Sequence, residues 1–302
     1  MITAPTGVLM PAVTPGSPEW LTRMSASKIA AVLGLSPYES RFSLWHHMAG
    51  LIKPDEQTDV MARGHYLEPA IAAWFADEHP TWQVSTTGTF VAADADWQAA
   101  TPDRLVVCDT GEVRLLQCKS DAEPDNYGTP GTDEIPVYYR AQVQWEMHVT
   151  GVPICHLAVI TRYLEFREYV VHYDADECAY MVGQAAEFMA SLPSGARPRR
   201  PDLDDHSATY QVVRELHADT PGGDFDVPLP MAQRFCAAVA RLKTAKATEQ
   251  SARTELADAM GDAKRAVLGE STIARRDCKP GGVPYLVAAR KLPDLPSDQE
   301  AA

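Results

Sequence analysis

No apolar run in this 302-residue chain approaches the length of a membrane-spanning helix, so a helical membrane protein is not expected. Residues 1–18 lack the basic-then-apolar order of a secretory signal. Rich in Pro, Thr and Gly, they are read as a flexible lead-in. The six cysteines include no CxxC pair. Cys108, Cys118 and Cys155 sit in apolar strand-like runs, where a reduced buried thiol is the ordinary state, and a reducing cytoplasm is the expected compartment. Basic charge is also scarce, with 27 Lys and Arg against 41 Asp and Glu and a net charge of −14. That argues against unselective coating of nucleic acid, and leaves room for a nucleic-acid enzyme with local basic groups and a carboxylate-rich site. Neither His46-His47 nor Glu146…His148 has a further ligand at a fitting spacing, so zinc is not expected.

What is present is an ordinary globular composition, 45% hydrophobic and 23% charged, long enough for one large domain with an appendage. The most informative stretch runs from Thr101 to Ser120. Leu105, Val106 and Val107 form one apolar run, Val113, Leu115 and Leu116 belong to another, and Asp109-Thr110-Gly111 supplies the turn of a hairpin. Asp103 stands at its start; Gln117 and Lys119 stand at its end. Residues two apart on a strand share a face, so Gln117 and Lys119 point together while Cys118 enters the opposite layer. A lysine closing an apolar strand beside an acid from the neighbouring strand is costly unless it has a function. With Glu68, which lies beside apolar residues ahead of Pro69, these groups suit a hard cation such as Mg²⁺. A lysine beside that cation can orient the attacking water and offset phosphate charge. By spacing alone, a solvated hairpin end is an equal reading.

The remaining pattern predicts helices at Ser25–Gly34, Phe42–Ala49 and Asp59–Glu78, the last interrupted around Leu67-Glu68-Pro69. Polar loops are expected at Pro54–Thr58, at Asp94–Asp96 and over Asp121–Glu134. A strand is expected over Gln83–Ala92 and a helix over Pro136–Thr150. A hairpin from Ile154–Thr161 and Glu165–Tyr173 and a helix over Asp176–Leu192 follow. This order predicts an α/β fold with a mixed β-sheet flanked by helices. Pro193–Asp205, with Arg197, Arg199 and Arg200 among prolines, reads as a boundary, dividing a core at 19–205 from an extension at 206–302. In the extension, a helix over Met231–Met260 is continued by Ala263–Leu268, short strands follow at Thr272–Arg275 and Tyr285–Ala289, and the whole is expected to pack on the core. Its heptad regularity is too poor for a coiled coil.

Six motifs in order carry a resemblance. They are Ser25-Ala-Ser27 with Val32-Leu-Gly-Leu-Ser-Pro-Tyr38, Arg63-Gly-His-Tyr-Leu-Glu-Pro69, Ala100-Thr-Pro-Asp-Arg-Leu105, Leu116-Gln-Cys-Lys119, Tyr139-Arg-Ala-Gln-Val-Gln-Trp-Glu-Met147 with Val149-Thr-Gly151, and Gly261-Asp-Ala-Lys-Arg-Ala-Val-Leu268. Together they resemble the YqaJ viral recombinase family, relatives of lambda exonuclease among the PD-(D/E)XK nucleases. The resemblance implies a restriction-endonuclease-like core and an Mg²⁺-dependent exonuclease, with Mn²⁺ as a substitute. Such an enzyme degrades one strand of duplex DNA from its 5′ end in phage-type recombination and supplies single strands to an annealing protein. A trimer follows from lambda exonuclease by analogy only.

Carried over by the same resemblance, Glu68 and Asp103 are metal ligands, with the Cys118 backbone carbonyl completing the shell, and Lys119 is the catalytic lysine. Gln142 and Gln144 stand behind the site, Ser27 lies near the terminal phosphate, and Arg23 is the phosphate-binding candidate, at an unexpected spacing from Ser27. One departure stands out: Gln117 occupies the position where the family usually has Glu. Its amide oxygen can still coordinate, but it is neutral, which should weaken a second metal position. Two other readings remain open, a catalytically weak DNA-end-binding module and a structure-specific or sequence-specific endonuclease on the same fold.

Overall fold

The structure, a computed structural model, describes residues 5–11, 13, 16–53, 58–219 and 222–295. Most of the expected loop at 54–58 and parts of the lead-in therefore lie outside the described residues. The chain divides into two units, Met1–Thr220 and Pro221–Ala302.

The first unit opens with β1 (Val8–Met10), α1 (Pro18–Leu21), β2 (Met24–Ser25), α2 (Ala26–Val32), α3 (Arg41–Met48) and α4 (Asp59–Glu78). Then come β3 (Gln83–Ser85), β4 (Thr89–Ala92), β5 (Ala95–Ala100), β6 (Arg104–Val107) and β7 (Val113–Asp121). It closes with α5 (Val137–Thr150), β8 (Ile154–Thr161), β9 (Phe166–His172), α6 (Ala175–Ser191) and α7 (Ser207–Leu216).

Five strands form the main sheet in the order β3-β6-β7-β8-β9. The β7–β8 pair is parallel and its other pairs are antiparallel. A parallel pair needs a crossover, and α5 provides it. Alternation along β7 then sorts its side chains into two layers. Val113 and Leu115 pack with Val143 and Met147 of α5. Leu116 and Cys118 face the other way, onto Ile71 and Phe75 of α4. Helices thus cover both faces, the mixed α/β architecture expected. Each large apolar side chain closed from solvent here, such as Phe75 or Leu116, contributes about 1.5–3 kcal/mol.

Local chemistry explains the helix ends. Ser40 and Ser43 form a capping box on α3. The Asp174 carboxylate accepts the Asp176 and Glu177 amides at the start of α6. Gly151 stops α5 in the left-handed conformation at φ 73°, and a Cβ there would lie 2.1 Å from Thr6 Oγ1.

Several expectations need correction. α4 runs unbroken through Pro69, because packing of Ile71, Ala72 and Phe75 against the sheet outweighs the lost hydrogen bond. Residues 83–92 are two strands, β3 in the main sheet and β4 in a smaller one ordered β1-β4-β5-β2. Of the acidic stretch expected as a loop, Asp94 lies in a tight turn and Asp96 already belongs to β5. Part of the lead-in is structured: Val8–Met10 pair with Thr89–Val91, an apolar run finding an open sheet edge. The Pro193–Asp205 segment is fastened to the first unit, with the Arg197 and Arg199 amides donating to Ala190 and Ser191 carbonyls and Arg200 lying 5.3 Å over the Phe42 ring. α7 follows it into that unit, where Thr209 Oγ1 lies 2.7 Å from Ser40 Oγ.

The second unit holds α8 (Leu229–Ala259) and the sheet of β10 (Arg265–Leu268), β11 (Ser271–Asp277) and β12 (Tyr285–Ala288). Residues 265–268 are a strand rather than a helical continuation, since Gly261 at φ 47° ends the helix and the β-branched Val267 pairs with Thr272.

Candidate active site

The site is built where β6 ends and β7 continues. Pairing between them reaches Arg104–Leu116 and stops, leaving residues 117–119 on an open edge of β7. Asp103 fills that edge: its carboxylate Oδ2 accepts the Cys118 amide at 2.7 Å. A side chain here substitutes for the next backbone partner, and so holds the acid beside Lys119.

Glu68 comes from α4, and its carboxylate Oε1 accepts from Arg104 Nη1 at 2.6 Å. The same guanidinium donates to the Asp103 backbone carbonyl, tying Glu68 to the start of β6 through one arginine. On the α5 side, Lys119 Nζ donates to Gln142 Oε1 at 3.0 Å and lies 4.9 Å from the centre of the Tyr139 ring. Gln142 Nε2 in turn donates to Glu146 Oε1 at 2.9 Å. A continuous polar chain therefore runs Glu68–Arg104–Asp103–Cys118–Lys119–Gln142–Glu146, from α4 across two strands to α5.

Burial shapes the acids of this chain. It pushes Asp103 up to about 6, against the pull of Lys119 and the Cys118 amide. Glu146, 1% exposed, is pushed up to about 8, first by burial and then by the Asp103 charge. Burial likewise raises the Cys118 thiol far beyond its ordinary value, so the thiol is no nucleophile.

The other expected residues fall in different places. Gln117 faces α5 as Lys119 does, is 4% exposed, and its Oε1 has no hydrogen-bond partner. Gln144 is two residues from Gln142, about 200° around the helix, and is turned away from the site. Its amide donates to the His172 carbonyl at 2.7 Å and its oxygen accepts from the Asp174 amide at 2.9 Å. That is a structural tie to β9 and α6. Ser27 is exposed and lies 3.1 Å, oxygen to oxygen, from Ser25. Arg23 pairs with Glu19 at 2.5 Å and donates to the Asp96 carbonyl. Neither joins the chain around Lys119. His46 sits against the Phe42 carbonyl and His148 against Gln98.

Sequence reasoning missed Arg104 and Glu146. Arg104 immediately follows Asp103. Glu146 lies four residues after Gln142 and seven after Tyr139, the stripe of α5 that faces the sheet.

Among the described residues, no three His, Cys, Asp or Glu side chains close on one point as a preformed metal site. The donors along the Glu68-to-Glu146 chain are oxygens, the preference of a hard cation. Two of them, Gln117 Oε1 and Glu146 Oε2, are buried without a partner. Such atoms are costly when left unsatisfied, so the donor chemistry fits Mg²⁺ or Mn²⁺.

Residues 20–153 match the YqaJ-like viral recombinase domain family. No curated protein matches the chain. Among solved structures it is similar to the alkaline exonuclease LHK-Exo from Laribacter hongkongensis, at 20% identity over 66% of this chain and 96% of that one, with a TM-score of 0.46. The structure of LHK-Exo in complex with dAMP gives 20% identity, 66% and 94% coverage and a TM-score of 0.46. A phage-related exonuclease from Haemophilus somnus 129PT gives 8% identity, 64% and 96% coverage and a TM-score of 0.42. Every residue of the Glu68-to-Glu146 chain lies inside the segment that matches the YqaJ-like viral recombinase domain family.

Proposed function

We propose that this protein is a divalent-metal-dependent deoxyribonuclease that degrades linear duplex DNA from its ends, 5′ to 3′, in phage-type recombination. Its product would pass to a single-strand annealing protein. The observation that carries this reading is the pairing of Asp103 with the Cys118 amide, which sets a half-buried acid beside Lys119 at an open strand edge. Structure alone gives such an arrangement little purpose, whereas phosphodiester hydrolysis needs an acid and a cation side by side.

Each residue has a part. Glu68, Asp103, Gln117 and the Cys118 carbonyl are the donors for Mg²⁺, with Mn²⁺ as a substitute. When bound, the ion supplies Lewis acidity toward the phosphate and a lowered pKa for water. Lys119, steadied by Gln142 and the Tyr139 ring, orients the attacking water and offsets the charge of the phosphate. Ser27 and Arg23 are candidates for contact with the terminal phosphate.

A 5′-labelled linear duplex incubated with Mg²⁺ tests the reading, with progressive release of mononucleotides from the 5′ end as the expected result. Lys119→Ala should abolish release; an unchanged rate would overturn the mechanism. A second reading, DNA-end binding without cleavage, draws on the neutral Gln117. It would be supported by retained binding with no release in either metal, whereas cutting of closed circles would indicate an endonuclease.

A further inference from the structure

We infer that Glu146 supplies, from α5, the carboxylate that the strand lacks at Gln117, so that the cation is held between β7 and α5 by Glu146 Oε2, Gln117 Oε1 and Asp103. This inference rests on the proposed metal-dependent activity and adds a ligand to its site.

Three observations lead to it. First, Glu146 is 1% exposed and yet only half satisfied: Oε1 accepts from Gln142 at 2.9 Å, while Oε2 has no partner. Second, the partnerless Gln117 Oε1 lies in the same layer. Gln117 continues the face of β7 that carries Val113 and Leu115, and Glu146 shares its helix face with Val143 and Met147, against which those two residues pack. Each wall thus leaves one buried oxygen without a partner, which a positive group held between them would engage. Third, the cations already present are engaged elsewhere. Lys119 Nζ is bonded to Gln142, and Arg104 is taken by Glu68 and the Asp103 carbonyl. A small cation with oxygen preference satisfies both acceptors at once.

The arrangement also accounts for the missing acid. A glutamate at 117 would put a second carboxylate opposite Glu146 in a layer closed from water, where like charges disfavour each other. An amide at 117 keeps a coordinating oxygen without that repulsion. In this view the charge has moved from the strand to the facing helix while the site keeps its total.

The test uses the full chain without DNA, so that metal binding is read apart from turnover. Free Mn²⁺ is followed by electron paramagnetic resonance as it is added to the wild-type protein, to Glu146→Gln and to the double variant Gln117→Glu/Glu146→Gln. Circular dichroism and urea midpoints verify that each is folded. Glu146→Gln should weaken Mn²⁺ binding by about tenfold or more, and the double variant, with its carboxylate returned to the strand, should recover most of the loss. Affinity within twofold of wild type in Glu146→Gln would overturn the inference while leaving the nuclease reading intact. In that case Glu146 is a protonated acid donating to Gln117. Should Glu146→Gln not fold, the double variant decides: wild-type affinity supports the exchange, and weak binding refutes it. No Mn²⁺ binding by the wild-type protein would refute both this inference and the metal-dependent function.

Discussion

Lys28 is 1% exposed, and its ammonium makes an unusual bargain with its surroundings. It donates to the Trp20 carbonyl and, at 2.7 Å, to the Arg23 carbonyl, and lies 3.6 Å over the centre of the Trp20 ring. Burial lowers its pKa to about 7, and the charge of Glu39 opposes that shift. A lysine with a lower pKa when folded releases its proton earlier than the unfolded chain does. Between about 7 and 10.5 the unfolded state therefore binds more protons, and stability rises with pH. Taken over pH 7 to 8.5, the two values give a gain of about 2 kcal/mol. The carbonyl bonds and the ring favour the charged form, so this figure is a ceiling. The assay is urea unfolding of wild type and Lys28→Met at several pH values over that range, in EDTA. Tyrosine and cysteine titration is common to both chains and cancels in the difference. Wild type should gain on Lys28→Met as pH rises. A flat difference would mean that two carbonyls and a ring cancel the cost of burial entirely, refuting the argument. The consequence reaches the site's margin, because Lys28 ties down the segment that presents Arg23, Ser25 and Ser27.

Gln142 and Gln144 should separate cleanly by substitution. Gln144→Leu leaves the His172 carbonyl and Asp174 amide without their partner and should cost about 2 kcal/mol in urea unfolding, with cleavage per folded molecule unchanged. Gln142→Leu should lower cleavage per folded molecule, since it frees Lys119 Nζ, and cleavage unchanged in both variants would contradict the assigned faces. Pro69→Ala, at an exposed position inside α4, should raise stability by about 2 kcal/mol, since proline in a helix interior costs about 3 relative to alanine. A less stable variant would show that the ring makes contacts that outweigh the missing hydrogen bond.

Much of this fold was legible because its main elements announce themselves locally. The hairpin at 101–120 has alternation and a turn, α5 and α6 have helical periodicity, and β8 and β9 are apolar runs of strand length. What was hidden depends on distant partners. The stretch 83–92 reads as one alternating strand, yet its halves pair with β6 and with β5, and no local pattern encodes that divergence. The two-residue β2 exists only because Met24 and Ser25 meet Gln98 and Ala99. Residues 263–268 read as helix because lysine, arginine, alanine and leucine favour it, and only the pairing with β11 makes a strand of 265–268. At the site, Glu68, Asp103 and Lys119 could be named from motif order, and the same resemblance placed Gln142 and Gln144 together behind the site. Their separation by about 200° follows from helix geometry, but which of the two faces the sheet depends on where the helix packs.

Glu146 was hidden for a different reason, and that reason bears on Gln117. Beside His148, an isolated acid invites a test for zinc spacing, fails it, and drops from view. Its significance appears only when the α5 face is laid against β7, where its free oxygen and that of Gln117 lie in one layer. The chain then has no simple deficit of charge at 117. Glu68 is balanced by Arg104 and Asp103 by Lys119, and Glu146 is the acid left over. A buried acid pushed up to about 8 must stay protonated or find a positive partner, and either state is costly in a dry layer. A helix with so many apolar alternatives at that position has little structural use for it. The substitution at 117 and the acid at 146 are therefore best understood together, as two halves of one exchange.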